Sequence, residues 1–275
     1  MKTKFCSAVV ITFYVLFLFV VTSVSVQAED GSRTVLRIMS YNIRHGQGMD
    51  NIVNLERTAN TIQKWKPDLV AVQEVDRNTQ RTDNVDQAKL LAEKLGMFAV
   101  FGKTIAYQGG EYGLVVLSRF PILENQMVLL PPDVQREQRG VLIAKIAIPD
   151  ANSPDAKGKV IRFACTHLSV ALQDERLRQI AKIDELLSEG NDPTLVAGDF
   201  NARPDNDAIV RFLATWKDAA NPDSGKNVTP DRLRRIDYIF FRTKDPFEVL
   251  ESRTIDDTFT SDHMPIFSVI AFAEK

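Results

Sequence analysis

Thr194-Leu195-Val196-Ala197-Gly198-Asp199-Phe200-Asn201 begins as an uninterrupted apolar run and turns abruptly polar. A short apolar run bounded by turn residues reads as a buried strand, here over 194–200, and Asn201-Ala202-Arg203-Pro204 reads as the turn that follows. The same punctuation recurs along the chain. VLRIMSYNI (35–43) closes on Ser40-Tyr41-Asn42, and DLVAVQEV (68–75) closes on Gln73-Glu74. The run 160–168 closes on Thr166-His167, and Ser261-Asp262-His263 opens the last apolar run, 264–272. In α/β architectures ligands and catalytic groups collect at strand ends along one edge, so these five ends are expected to share one pocket.

Helical patterns lie between the strands. Ile52, Val53, Leu55, Ala59, Ile62 and Trp65 are spaced for one helix face, and Pro67 ends it. Residues 84–95 turn Ala88, Leu90, Leu91 and Leu95 inward and stop at Gly96. Further helices are expected over 173–188, closed by Gly190, and over 205–216. Strands are expected at 98–105, 113–120, 126–130, 140–148, 236–241 and 248–254. Strands and helices that neither alternate strictly nor segregate predict two packed sheets flanked by helices. The polar stretches 149–159 and 221–231 read as loops. Asn227-Val228-Thr229 is a formal glycosylation triplet that matters only in a eukaryotic host.

The N-terminus reads as a targeting segment. Lys2 and Lys4 precede an uncharged run, 5–21, and Val26-Gln27-Ala28 offers small residues for cleavage before Glu29. Residues 1–28 are therefore expected to be a cleaved secretory signal peptide, giving a secreted or periplasmic protein with its catalytic domain over 29–275. A retained membrane anchor is the alternative reading. Cleavage removes two lysines, moving the formal charge from −2 to about −4. The remainder is long enough for one large α/β domain. Mild acidity argues against a broad basic surface for non-specific nucleic-acid binding, but not against a narrow phosphate site. Of the two cysteines, Cys6 falls in the leader and Cys165 in an apolar run, so the mature chain has no internal disulfide partner.

All three histidines, His45, His167 and His263, fall at or beside the polar strand ends. Asp237 sits in Arg235-Ile236-Asp237-Tyr238-Ile239-Phe240-Phe241, where an unpaired carboxylate costs several kcal/mol, as order of magnitude. A neighbouring histidine is a suitable partner.

SYNIRHG (40–46), QEVD (73–76), LSRFPI (117–122), THLS (166–169), GDFNARP (198–204), RIDYIFF (235–241) and SDHMPI (261–266) resemble, in order, the motif set of the endonuclease/exonuclease/phosphatase superfamily. The resemblance spans 35–272 and implies a four-layer α/β sandwich with two mainly antiparallel central sheets flanked by helices. It also implies a metal-dependent phosphoric ester hydrolase, of phosphodiesterase or phosphatase type. On this resemblance Glu74 is the principal ligand of Mg²⁺, with Mn²⁺ as a possible substitute, assisted by Asn42 and with Asp262 across the ion. Oxygen ligands with several waters suit magnesium, and no ligand spacing for structural zinc is present.

Hydrolysis of a phosphate ester needs an oriented water and donors for the phosphoryl oxygens. Asp199 is expected to activate the water, Asn201 to donate to a phosphoryl oxygen, and His263 paired with Asp237 to stabilise the phosphate. His263 as the base is the competing assignment. His167 is expected to donate to the phosphate or to help the leaving group. Arg44, His45, Arg81 and Arg139 are weaker candidates for substrate contact, and Arg119 reads as structural.

His167 stands where the AP-endonuclease branch carries a tyrosine, and Thr229–Arg234 lacks the inositol-phosphatase signature. The mature chain lacks the disulfide of secreted DNases, and no loop is as apolar as the docking hairpin of bacterial sphingomyelinases. What remains is a phosphoester substrate that is a small molecule, lipid headgroup or nucleic acid, hydrolysed by a monomer with no obligate protein partner. The alternatives are a secreted or membrane-tethered nuclease and a catalytically silent relative that only binds phosphoesters.

Overall fold

The computed structural model describes residues 33–132, 137–149, 158–219 and 235–273. The expected leader, the Asn227 triplet and most of both polar loops lie outside these residues. Among the described residues, twelve strands form two six-stranded sheets. The first orders β11 (Phe247–Thr254), β12 (Ile266–Phe272), β1 (Val35–Asn42), β2 (Leu69–Arg77), β4 (Gly110–Ser118) and β3 (Phe98–Tyr107). The second orders β5 (Ile122–Leu129), β6 (Gly140–Ile148), β7 (Lys159–His167), β8 (Thr194–Asp199), β10 (Asp237–Arg242) and β9 (Trp216–Asp218).

Each sheet contains a single parallel pair, β1 with β2 and β7 with β8, and is otherwise antiparallel. Parallel neighbours need a crossover, which α1 (Leu55–Trp65) and α3 (Gln173–Leu187) supply. The C-terminal ends of these two βαβ units carry Asn42 and His167 with Asp199. Gly198 makes the second pairing close, because a Cβ there would lie 2.0 Å from the Thr166 carbonyl oxygen.

Alternation along the strands sorts the core into layers. Leu36, Ile38, Leu69 and Ala71 from the first sheet meet Phe163, Cys165, Leu195 and Ala197 from the second. Behind the first sheet, Met39, Val70 and Val72 pack on Leu55, Ala59 and Ile62 of α1 and on Ala88 and Leu91 of α2 (Gln87–Leu95). Behind the second, Ala164, Val196 and Phe240 pack on Ile180 and Ile183 of α3 and on Ile209 and Phe212 of α4 (Asp207–Phe212). This is the expected four-layer sandwich. Among the described residues, no helix is long and apolar enough to cross a membrane.

Phe240 sits in an aromatic cluster, with ring centroids 5.1 Å from Phe200, 5.1 Å from Phe212 and 5.0 Å from Tyr238. Phe240→Ala is expected to lower the unfolding free energy by about 3–5 kcal/mol, read from urea denaturation. A loss below about 1 kcal/mol would show that this layer collapses around the cavity.

Three helix boundaries differ from the sequence expectations, each for a local reason. Asn54 accepts a hydrogen bond from the Arg57 backbone N–H, so α1 begins at Leu55 and leaves Ile52 and Val53 exposed outside it. Asp86 caps α2 in the same way, so residues 84–86 precede the helix. The fourth helix stops at Phe212 and does not reach Trp216. Trp216 starts the short edge strand β9, where its ring stacks 4.9 Å from Phe212 and its Nε1 donates to Asp184.

Candidate active site

A cavity of about 380 Å³ opens at the ends of the two parallel pairs, within the usual range for small-molecule sites. Its walls are Glu74, Arg81, Ile105, Tyr107, Tyr112, Glu137, Arg139, His167, Val170, Asp199, Asn201 and His263. The fold reaches this set by devices that strand periodicity does not show. Glu74 does not end its strand. β2 continues to Arg77, and its register against β4 shifts between Val72 and Val75, with Glu74 at φ 59°. A bulge of this kind re-aims one side chain, here into the cavity. Asp262 and His263 likewise precede β12 in a loop. That loop is tied to the end of β1 by the Ser261 hydroxyl, which donates to the Asn42 carbonyl at 2.8 Å.

Asp199 is the hub. Its Oδ1 accepts the Asn201 backbone N–H at 2.8 Å. Its Oδ2 lies 3.2 Å from Asn42 Nδ2, 3.5 Å from His167 Nε2 and 3.7 Å from His263 Nε2. Burial raises its pKa first and repulsion from Asp237 adds to this. The His263 charge and the hydrogen bonds from Asn201 and Asn42 pull the other way, leaving it at about 7.

Asp237 opens β10 opposite Asp199 in register and accepts from His263 Nδ1 at 2.8 Å, the pairing expected from its apolar strand. Its Oδ1 is buried and has no hydrogen-bond partner. Burial opposes charge on His263, but the Asp237 hydrogen bond and charge, with Asp199 and Asp262, more than offset it and raise its pKa to about 9. His263 is therefore an imidazolium at neutral pH. His167 is the opposite case. Burial, then the charges of Arg139 and His263, hold its pKa well below the ordinary value, so it is neutral.

Asn42 lies behind the cavity wall. Its Nδ2 donates to Glu74 Oε1 at 3.0 Å and to Asp199, while its Oδ1 accepts the Arg44 backbone N–H. It therefore braces two carboxylates, while its own oxygen is engaged by the Arg44 backbone N–H. The Asn201 side chain is tethered by one N–H to the Leu168 carbonyl at 3.0 Å, leaving its second N–H for a ligand. Asp262 is not part of the cavity wall; its side chain is 45% exposed and lies 3.6 Å from Arg44 Nε.

Neither Arg44 nor His45 is part of the cavity wall. His45 lies in a 3-10 turn, where burial, then the Arg81 charge, lowers its pKa to about 4. Arg81 does line the cavity, held by Asp76 through Nε at 2.7 Å and Nη2 at 2.9 Å and lying over the Tyr107 ring. Arg139 also lines it and is almost fully buried. Arg119 pairs with Asp68 at 2.8 Å, away from the site. Burial pushes the Cys165 thiol up to about 12, and Gln73 Nε2 donates to its sulfur, so it is inert packing.

Ile105, Tyr107, Tyr112, Glu137 and Val170 also line the cavity and are not among the residues expected there from the sequence. The two tyrosines flank the Gln108-Gly109-Gly110 turn of the β3–β4 hairpin, a signal that marks a turn but not which cavity it overhangs.

Among the described residues, one cluster of side chains brings cation ligands together: donor atoms of Asp199, Asp237 and His263 lie within 4.8 Å of one another, close enough to hold a metal ion. In that cluster the closest atoms are already joined by the His263–Asp237 hydrogen bond.

A model of the Endonuclease/Exonuclease/phosphatase family matches residues 39–263. The chain belongs to this family. Members of the family are hydrolases acting on phosphoesters and typically use divalent metals. YbhP, an uncharacterized protein of Escherichia coli strain K12, is 28% identical over 177 residues, which are 60% of this chain and 66% of YbhP. The match thus spans just under two thirds of that relative's length. A family member from Beutenbergia cavernae superposes with a TM-score of 0.69 at 23% identity, covering 88% of this chain and 72% of that one. A mannosyl-6-phosphatase of Bacteroides thetaiotaomicron does so with a TM-score of 0.64 at 19% identity, covering 86% and 99%. These structures share the fold of the endonuclease/exonuclease/phosphatase family.

Proposed function

We propose that this protein is an exported, magnesium-dependent hydrolase of small phosphate esters in which Asp199 activates the attacking water. The observation that carries the reading is the placement of Asp199. It is a carboxylate with a pKa near neutrality, facing the cavity with Glu74 and ringed by donors from Asn42, His167 and His263. A base poised near the working pH is the arrangement that general-base catalysis favours.

The donor chemistry fits a hard cation held by Glu74 and Asp262, because both offer carboxylate oxygens, Glu74 faces the cavity and the Asp262 side chain is open to the waters that magnesium retains. When bound, the ion supplies positive charge that offsets the charge on the phosphoryl group. The chain's own residues do the rest. Asn42 holds Glu74 and Asp199 in fixed relation, Asp199 orients the water and takes its proton, and Asn201 donates its free amide N–H to a phosphoryl oxygen. His263, kept charged by Asp237, faces the phosphate as a cation. His167 adds a further polar contact, either to the phosphate or to the leaving group.

A small ester is favoured over a polymer by size and charge. The cavity suits one ring-sized group, its arginines are each paired with a carboxylate, and the chain carries no net positive charge to track a nucleic-acid backbone. A sugar-phosphate phosphatase of the same fold supports the same reading.

The test is a magnesium-dependent screen of bis-p-nitrophenyl phosphate, sugar and inositol phosphates, sphingomyelin, RNA and plasmid DNA, with Asp199→Ala as control. Turnover of small esters abolished by the substitution is expected. Preferential cleavage of DNA or RNA would favour a nuclease, and absence of turnover on every ester would favour a silent relative. Glu74→Gln is expected to raise the magnesium concentration for half-maximal activity by at least ~10-fold, and an unchanged metal titration would remove its ligand role. Export predicts that N-terminal sequencing of the mature protein starts at Glu29. Recovery of residues 5–21 in a membrane fraction would mean a tethered form.

A further inference from the structure

Arg139 directly precedes β6, and the β6–β7 register sets Gly140 opposite His167. That pairing delivers the Arg139 side chain alongside the His167 ring. Its backbone is fixed by two bonds to its carbonyl, from the Leu130 N–H at 2.9 Å and from Gln138 Nε2 at 2.8 Å. The side chain is almost wholly enclosed, at 7% exposure for the residue. Its Nη1 carries two N–H groups, and both are committed. One meets Glu137 Oε1 at 2.8 Å and the other His167 Nδ1 at 3.0 Å.

A guanidinium stays protonated and offers donors only, so the His167 Nδ1 in this contact must be the acceptor. A neutral imidazole that accepts at Nδ1 carries its proton on Nε2. That nitrogen lies 3.5 Å from Asp199 Oδ2 on the cavity wall. We infer that Arg139, anchored by Glu137, is a positioning residue that locks His167 in the Nε2–H tautomer, making it a hydrogen-bond donor toward the reacting group. His167 then neither accepts the water's proton, since its remaining lone pair is engaged by Arg139, nor protonates the leaving group, since a neutral imidazole is a very weak acid.

The inference decides between the two roles left open for His167, and it rests on the proposed hydrolysis only for what the donor faces. The burial and neighbouring positive charges that keep His167 neutral act in the same sense. Glu137 completes the device by placing a carboxylate on the arginine, so that the enclosed cation is not left unpaired.

The test reads the tautomer directly, then its consequence. The chain has three histidines, so long-range ¹H–¹⁵N spectra resolve each ring, and His167→Gln identifies the signal of interest. In the wild-type protein at neutral pH, His167 is expected to be neutral and protonated at Nε2 alone. Arg139→Met is expected to abolish that single-tautomer pattern. It should also lower kcat by about 10–100-fold, the range for losing a partner that orients a functional side chain, with KM within about twofold. Arg139→Lys, which keeps a cationic donor, should recover most of both.

A wild-type His167 protonated at Nδ1, or doubly protonated, overturns the inference outright, and that measurement needs neither a variant nor an active substrate. A rise in KM with kcat unchanged in Arg139→Met also overturns it, because Arg139 would then be a substrate contact. If no phosphoester is turned over, the proposed activity fails while the spectrum still decides the tautomer. Glu137→Gln provides the same readout should Arg139→Met not fold, with partial loss of the single tautomer expected and an unchanged His167 signal and kcat counting against the anchor.

Discussion

Asp199→Ala is expected to lower kcat by at least ~100-fold on any phosphoester this protein hydrolyses, while the chain stays folded. The carboxylate is enclosed and carries a pKa raised to about 7, so it costs stability whenever it is ionised. The sign follows from linkage. A carboxyl whose folded pKa lies above its unfolded value binds protons more tightly when folded, so its contribution falls as pH rises from about 3.8 through about 7. Asp199→Asn, which preserves shape without the charge, is therefore expected to be inactive yet to melt no lower than the wild type at pH 8. Loss of activity with a lower melting temperature at pH 8 would mean that the residue is structural. Retention of activity in either variant at saturating magnesium would sink the base assignment.

His263→Ala is expected to cost at least ~100-fold in kcat as well, but with a different pH signature in its supporting variant. His263 owes its charge to Asp237. Burial alone would drive the imidazole neutral, and the 2.8 Å hydrogen bond with the nearby carboxylates raises it to about 9. A base raised in the folded state stabilises that state fully below its unfolded pKa of about 6.5 and loses the contribution as pH rises through about 9. Asp237→Asn should therefore move the alkaline limb of the kcat profile downward. The acid limb should move the same way, because Asp199 also loses the repulsion of Asp237. Stability between about pH 6.5 and 9 should lose its dependence on His263. An alkaline limb that stays in place in Asp237→Asn would show that the pair does not set the charge of His263.

These two predictions concern residues visible in the primary structure, and the reasons for that visibility are specific. Asp199 and His167 terminate apolar strands of two βαβ units, and a carboxylate or imidazole breaking such a run stands out against the hydrophobic period. Asp237 is legible because its neighbours are apolar and a lone carboxylate among them demands a partner. Two packed sheets flanked by helices follow from the same pattern, and the family resemblance adds the four-layer sandwich. Strands apolar enough to be covered on both faces, with few helices between them, leave little choice but two sheets packed together with helices outside.

The remainder was written in contacts between residues far apart in the chain. The bulge that aims Glu74 appears only when β2 is laid against β4, since a register shift is a property of a pair of strands. Asn42 is conspicuous in the sequence, yet its role as a brace depends on Glu74 and Asp199 arriving on either side of one amide. Tyr107, Tyr112 and Glu137 carry no strand-end signal and enter the cavity because a hairpin and a loop happen to close its far wall. Arg139 is the clearest case, since nothing in Glu137-Gln138-Arg139 marks a contact with His167, 28 residues on. By itself the sequence determined the layers and the ionisable groups at strand ends, because these depend on local periodicity and composition. Only the tertiary structure decided which proton sits on which atom, because burial and hydrogen-bond direction are set by the neighbours that folding supplies.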